Sequence, residues 1–195
     1  MKFSAACLTA LAGFALAQDT QSEPFKLVLC SDDKSLNGYP LTSCHTGAAI
    51  ESLCLYDKTG SEFRFNTTAG APPAAKGYTP SGELVWDLVG TGFSVSEPMY
   101  FSVDPSTNVA LPLFTPSDSD IQYVAFENKT DALRVFSYVD DTKNPPKTTG
   151  PTALNRWYVC STNYSGYQYK TLTWVLGNGK PQNPSCKKVD VRRQF

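Results

Sequence analysis

Short apolar or alternating segments recur along the chain, and glycine, proline, asparagine, aspartate and serine separate them. This pattern is typical of β-strands, in which successive side chains point to opposite faces of a sheet. The segments that we assign to strands are residues 25–30, 48–56, 62–65, 83–89, 99–103, 109–114, 121–126, 133–139, 157–161, 169–176 and 188–192. The pattern predicts an all-β fold, namely a single antiparallel β domain of about eleven strands. It forms a two-sheet sandwich or a closed barrel, with a trefoil as a third alternative.

The segments between these strands predict the connections. Residues 104–108 and 128–131 are rich in turn-forming residues and predict hairpin turns. Residues 67–82 and 140–151 are longer, and we predict that they are surface loops and not domain boundaries. The pieces of chain that they separate are too small to bury cores of their own. The best helical segment, residues 47–53, provides two turns at most.

The N-terminal residues have the pattern of a secretory signal peptide. Lys2 supplies a positive charge, residues 5–16 are apolar but too few to span a bilayer, and Ala15-Leu16-Ala17 has the small residues that signal peptidase prefers. We therefore expect residues 1–17 to be a signal peptide and residues 18–195 to be a single secreted β domain.

The charge distribution bears on the partners. The chain has 17 basic and 18 acidic side chains, a formal net charge of −1, and no block of like charge. Nucleic acid and anionic membranes both favour a concentrated basic patch, so we expect neither as a partner. No second apolar stretch approaches membrane-spanning length, and the C-terminal residues 189–195 are too short and charged for a lipid-anchor signal, so we expect no membrane anchor.

Five cysteines follow the signal segment, and an oxidising compartment favours pairing them. We predict disulfides between Cys44 and Cys54 and between Cys160 and Cys186, because each pair is close in sequence compared with the alternatives. Cys30 is then a free thiol, which we expect to be buried as a small apolar group. A bridge between Cys30 and Cys44 is the alternative.

Three asparagines lie in N-glycosylation sequons beside turn-forming residues. They are Asn66, Asn128 and Asn163, whereas Asn183 is excluded because Pro184 follows it. We expect these three sites to carry glycans on solvent-facing loops.

The residue inventory predicts a protein without catalytic activity. His45 is the only histidine, which argues against zinc and other histidine-rich metal sites, and no Gly-x-Ser-x-Gly motif is present. We expect His45 to stabilise a tight turn between Cys44 and Gly47. The glutamates show no cluster in sequence, and the paired aspartates lie in loops, so we expect no metal, no cofactor and no catalytic residue.

One aromatic strand face forms a binding hypothesis. In residues 163–174, alternation places Leu172 and Trp174 toward the core and the tyrosines and threonines on the opposite face. Phenol rings and hydroxyl groups suit stacking on sugars or contact with a protein partner. The residues of this face are Tyr164, Tyr167, Tyr169, Thr171 and Thr173. The alternative is that tyrosine and threonine are simply common on half-exposed strands.

Several segments resemble a group of small secreted proteins of filamentous fungi. They are Trp157-Tyr158-Val159-Cys160, Leu172-Thr173-Trp174-Val175, Pro184-Ser185-Cys186, Val189-Asp190-Val191, Pro24-Phe25-Lys26-Leu27 and Cys44-His45-Thr46-Gly47-Ala48-Ala49-Ile50. More distantly, the order of a strand ending in cysteine, a tryptophan-containing strand and a final cysteine is similar to fungal phialide-associated cell-wall proteins. The resemblance implies an extracellular or wall-associated protein, and it brings no catalytic residues.

Three functions are compatible with these patterns. The first is a secreted, glycosylated, non-catalytic protein of the fungal cell wall or extracellular medium, either a wall component or a factor directed at a host or competitor. The second is a carbohydrate-binding module that uses the tyrosine face on cell-wall polysaccharide; an extracellular protein is the other partner that such a face suits. The third is a hydrolase whose two carboxylates are brought together only by the fold.

Overall fold

The computed structural model describes residues 19–195, which form one antiparallel sheet of 15 strands, curled strongly into a half-barrel, without helices. The strands are β1 Asp19–Gln21, β2 Phe25–Cys30, β3 Thr42–Gly47, β4 Ile50–Cys54, β5 Glu62–Thr68, β6 Gly82–Gly90, β7 Phe93–Val103, β8 Val109–Phe114, β9 Tyr123–Phe126, β10 Leu133–Asp140, β11 Lys147–Leu154, β12 Trp157–Tyr164, β13 Tyr167–Val175, β14 Lys187–Lys188 and β15 Asp190–Gln194.

The sheet has one long path of neighbouring strands and a shorter branch. The path runs β11-β10-β9-β6-β7-β8-β4-β13-β12-β14. The branch joins β15, β2, β5 and β1 to β6, while β3 pairs with β4 alone. Strand β13 pairs with both β4 and β8, so the sheet changes direction around β13. This junction brings the hairpin β12–β13 close to β3 and β7.

The core lies on the concave side of the curled sheet. In β2, buried and half-buried residues alternate as the sequence pattern predicts. Trp157 is fully buried at the centre, and its indole Nε1 donates a hydrogen bond to the Leu133 carbonyl oxygen (3.0 Å). The phenylalanine rings around it make edge contacts, such as Phe25 with Phe126 (5.6 Å between centroids).

The all-β antiparallel fold is confirmed, and the strand count rises from about eleven to 15. The extra strands are β1, β3 and β11, and the last predicted strand is divided into β14 and β15. Strand β11 begins within residues 140–151, which we predicted as a loop, and continues to Leu154. Its sequence, with Gly150 and Pro151, lacks the apolar side chains of a buried strand, and it pairs only with β10 at the edge of the sheet.

The expected short helix is not present in the structure, and the expected signal peptide cannot be compared with it. Residues 47–53 are not helical, since β4 covers most of them. The predicted signal peptide, residues 1–17, lies outside the described residues. Within residues 19–195, no helix is long and apolar enough to cross a membrane.

Candidate functional site

The hairpin β12–β13 carries the predicted tyrosine face. Its eight paired positions run from Trp157 opposite Trp174 to Tyr164 opposite Tyr167. Ser165 and Gly166 form the turn with positive φ angles of 49° and 88°, the pattern of a type I′ turn that matches the twist of the strands. The hairpin therefore holds Tyr164 and Tyr167 side by side at its tip.

The opposite ends of this hairpin have different environments. Trp174 is 4% exposed and packs in the core, as predicted. Thr171 and Thr173, however, are buried, so their assignment to the exposed face was wrong. The Thr173 hydroxyl donates to the Tyr158 carbonyl oxygen (3.1 Å), which satisfies it without solvent. The exposed face is thus limited to the hairpin tip.

We call the residues at this tip and their neighbours the tyrosine patch, which comprises His45, Tyr100, Tyr164, Tyr167 and Tyr169. The rings of Tyr167 and Tyr169 are stacked, with centroids 6.3 Å apart and planes within 12°. Tyr167 is exposed, while Tyr100, Tyr164 and Tyr169 are half-buried. Burial and then the hydrogen bond with Tyr164 raise the pKa of Tyr100 to about 12. The Tyr100 phenol is therefore neutral across the physiological pH range.

His45 joins the patch from β3. We expected it in a tight turn, but β3 extends to Gly47 and places His45 opposite Glu51 of β4. Its side chain is 57% exposed, and its ring meets that of Tyr167 edge to face, with centroids 5.4 Å apart. Its Nδ1 lies 4.0 Å from Oε1 of Glu51. His45 thus contacts both the exposed patch and a buried carboxyl group.

Glu51 and Glu97 form a buried pair of carboxyl groups beneath His45. Glu97 is fully buried and Glu51 nearly so. The two carboxyl groups are within hydrogen-bonding reach of each other, and no other described residue donates to either oxygen of Glu97. Burial, followed by the contact with Glu51, raises the pKa of Glu97 to about 8. An ionised Glu97 would lose its hydration here and would meet the neighbouring Glu51 carboxyl group, so Glu97 keeps its proton at neutral pH.

Neighbouring apolar residues explain the burial of the pair. Glu51 lies opposite Phe114, and Glu97 lies opposite Trp86. Phe114 is fully buried, and Trp86 packs against the core. The pair therefore lies at the edge of the hydrophobic interior and not in an open cleft.

No pattern in the sequence links Glu51 to Glu97. Glu51 and Glu97 lie on different hairpins and become neighbours only through the β4–β8–β7 pairing. The available signal was local: each glutamate occupies an inward position of an apolar strand, two residues before Leu53 and Met99, respectively. An inward glutamate in such a pattern indicates either a partner or a raised pKa.

The two predicted disulfides are present. Cys44–Cys54 joins β3 to β4 at the residue before His45, and Cys160–Cys186 joins β12 to the segment before β14. Each disulfide therefore holds one of the hairpins that form the tyrosine patch. Cys30 is a free thiol, but it is half-buried, not buried as expected.

Cys30 lies in a separate open groove of about 720 Å³. Lys187 and Lys188 line the same groove, and Lys187 binds Asp33 with Nζ 2.6 Å from Oδ2. Burial lowers the pKa of Lys188 to about 8, although its ammonium donates to the Asn155 carbonyl oxygen (2.6 Å). Both lysine ammonium groups are therefore already bound to other residues of the protein.

The sequons differ in exposure. Asn128 lies exposed in the turn between β9 and β10, and Asn163 lies exposed near the tip of the hairpin β12–β13. Asn66 is half-buried in β5, between β1 and β6, and its Oδ1 accepts a hydrogen bond from Gln21 Nε2 (3.0 Å). Asn163 is thus the sequon nearest the tyrosine patch.

In residues 19–195, no three or more histidine, cysteine, aspartate or glutamate side chains are placed to hold a metal ion. Residues 22–195 match the family described as Domain of unknown function (DUF7907), and the chain therefore belongs to this family. No curated protein and no solved structure matches the chain.

Proposed function

We propose that this member of the DUF7907 family is a secreted, glycosylated and non-catalytic protein that acts at the cell wall or in the extracellular medium. The N-terminal signal pattern supports export, and the two disulfides fit an oxidising compartment. Exposure of Asn128 and Asn163 supports glycan attachment at these two sites. The resemblance to small secreted and wall-associated proteins of filamentous fungi agrees with this location.

The proposed activity is binding of cell-wall carbohydrate through the tyrosine patch. The observation that carries it is the stacked pair Tyr167 and Tyr169, held at the tip of a disulfide-anchored hairpin. Aromatic rings combine apolar faces with polar edges, and such surfaces bind sugars without a charged group. The two strands set the ring positions before binding, which lowers the entropy lost on association.

A protein partner is the second candidate for the same surface. Tyrosine is enriched at the centres of protein interfaces. The patch is small and hydroxyl-rich, however, and an obligate protein interface is larger and more apolar. We therefore propose carbohydrate as the partner of the patch.

The buried pair Glu51–Glu97 does not support hydrolysis of a sugar polymer. Glycosidases place a substrate between two carboxyl groups that are about 5–10 Å apart. Here the two groups touch each other and are covered by apolar side chains, which leaves no room for a scissile bond. We assign this pair to the stability and pH response of the fold.

The carbohydrate proposal is tested by retention on insoluble polysaccharides. The purified protein is mixed with chitin, β-glucan and cellulose, and the bound fraction is measured. We expect one polymer to retain the protein and the double variant Y167A/Y169A to lose about five-fold or more in affinity, since stacking on each ring contributes about 0.5–1.5 kcal/mol. The matched control is Y123A/Y138A, which removes two exposed tyrosines outside the patch.

Two outcomes contradict the proposal. Absence of retention on all three polymers rejects carbohydrate as the partner. Equal retention of the wild type and Y167A/Y169A rejects the patch as the binding surface. Export is tested separately, by N-terminal sequencing of the protein recovered from the culture medium, for which we expect a start near Gln18.

A further inference from the structure

We propose that Glu51 and Glu97 form a proton-binding switch that controls the tyrosine patch through His45. The inference about binding rests on the proposed function, whereas the switch itself is independent of any ligand. Its basis is a continuous set of contacts from the solvent to the interior, namely from Tyr167 to His45, from His45 to Glu51 and from Glu51 to Glu97.

The buried end of this set of contacts, the pair Glu51–Glu97, needs a proton. Both carboxyl oxygens of Glu97 and Oε2 of Glu51 are buried and receive no hydrogen bond from a described donor. A buried ion without a donor is costly, and two adjacent carboxylates also repel each other. A proton on Glu97 removes its charge and supplies a donor, so that the Glu97 hydroxyl donates to the Glu51 carboxyl group.

Apart from His45, the described residues around Glu51 and Glu97 provide no positive charge that would balance the ionised carboxyl groups. From β3 the facing group is His45, from β8 it is Phe114, and from β6 it is Trp86. Asp87, which follows Trp86 in β6, is already paired with Arg64 (3.2 Å). Among the described residues, His45 is the single basic side chain within 4.0 Å of either carboxyl group. When Glu97 loses its proton, the contact between Glu51 and His45 is therefore the first to change.

The direction of the pH response follows from the folded and unfolded states. The pKa of Glu97 is about 8 in the folded protein, against an ordinary value of 4.5. The folded state therefore binds more protons than the unfolded state between these values, and stability falls as the pH rises from about 4.5 to about 8. Above this range, Glu97 is ionised and the pair repels itself, which loosens β3 and moves His45 relative to Tyr167.

His45 provides a direct measurement, since it is the only histidine of the chain. In an untagged protein the Hε1 protons of histidine give a single resonance, which we follow by NMR from pH 5 to pH 9.5. We expect a second titration step near pH 8 in the wild type and no such step in E97Q, because the amide keeps a donor toward Glu51 but cannot ionise. A single step with the same midpoint in both proteins overturns the switch.

Thermal unfolding provides the second measurement. Between pH 5 and pH 9 we expect the Tm of the wild type to fall by about 5 °C more than that of E97Q. The matched control E23Q changes an exposed glutamate and should follow the wild type. Equal pH profiles of wild type and E97Q reject the proposal. If E97Q does not fold, E51Q replaces it. E51Q removes the contact with Glu51 but leaves the burial of Glu97, so its profile should be flatter than that of the wild type and steeper than that expected for E97Q, and a profile equal to the wild type rejects the proposal.

The link to binding is tested last, with the polymer that retains the wild type. We expect retention at pH 5 to exceed retention at pH 9 by at least about three-fold, and E97Q to bind equally at both. If the His45 step is present and no polymer is retained, the proposed carbohydrate function fails while the switch remains. If a polymer is retained equally at both pH values, the coupling of the switch to the patch fails.

Discussion

Trp157 and Trp174 lie directly opposite each other on β12 and β13, with ring centroids 4.8 Å apart and planes at 70°. Phe101 of β7 stacks on Trp174 at 5.6 Å, so the three rings join the hairpin to the neighbouring strand. Edge-to-face pairs of this kind contribute about 0.5–1.5 kcal/mol beyond the burial of their area. These three rings therefore anchor the end of the hairpin that lies opposite the tip carrying Tyr164 and Tyr167.

The variant W174A should lose about 3–5 kcal/mol of unfolding free energy, because it removes a buried ring and leaves a cavity between Trp157 and Phe101. Chemical denaturation followed by circular dichroism measures this loss. The control Y138A removes an exposed ring and should change the free energy by less than about 0.5 kcal/mol. A W174A protein as stable as the wild type would mean that the ring is not buried.

The variant C186S should lower the free energy of unfolding by about 3 kcal/mol. The disulfide spans 26 residues in sequence, and the chain-entropy model assigns about 3 kcal/mol to a loop of this size. C30S is the control, since Cys30 makes no disulfide and should leave the stability unchanged. An unchanged melting temperature for C186S would show that hydrogen bonds such as Asn183 Nδ2 to the Ser161 carbonyl oxygen hold this segment without the bridge.

The variant R134M should destabilise the protein by about 1–3 kcal/mol. Arg134 binds Asp190 in two hydrogen bonds, of 2.5 Å and 3.3 Å, and both side chains are mostly buried. Removal of the guanidinium leaves the Asp190 carboxylate without its counter-charge, which is costlier than removal of both groups. The double variant R134M/D190N should therefore recover part of the loss. If the losses of unfolding free energy in R134M and in D190N add up to the loss in the double variant, Arg134 and Asp190 do not interact as described.

Glycan occupancy should differ among the three sequons. We expect Asn128 and Asn163 to be modified and Asn66 to remain bare, because Asn66 lies between two paired strands and is bonded to Gln21. Mass spectrometry of tryptic peptides, with and without enzymatic removal of glycans, measures each site. A fully occupied Asn66 would mean that glycosylation precedes the pairing of β1 with β5.

Local patterns in the sequence determined most of the secondary structure. The bounds of β2 and β8 agree with the prediction. Apolar alternation was sufficient for β2, in which every second residue is buried, and a continuous apolar run was sufficient for β8, in which nearly every residue is buried. The strands that were missed lack this signal. β11 is an exposed edge strand, and its residues pair with β10 through the backbone, which all residue types can do.

Sequence proximity was also sufficient for both disulfides, and alternation placed Trp174 in the core, because each of these depends on residues of one hairpin or of neighbouring segments. Tertiary structure alone decided the limit of the tyrosine face and the position of His45. It also decided the contact between Glu51 and Glu97, which no local pattern links. The pairing of β4, β8 and β7 brings these two carboxyl groups together, and a sheet register set by many strands is not encoded in any short segment. The contacts within the site therefore depend on how the strands pair in the curled sheet. The strands themselves depend on the local pattern of apolar and polar residues.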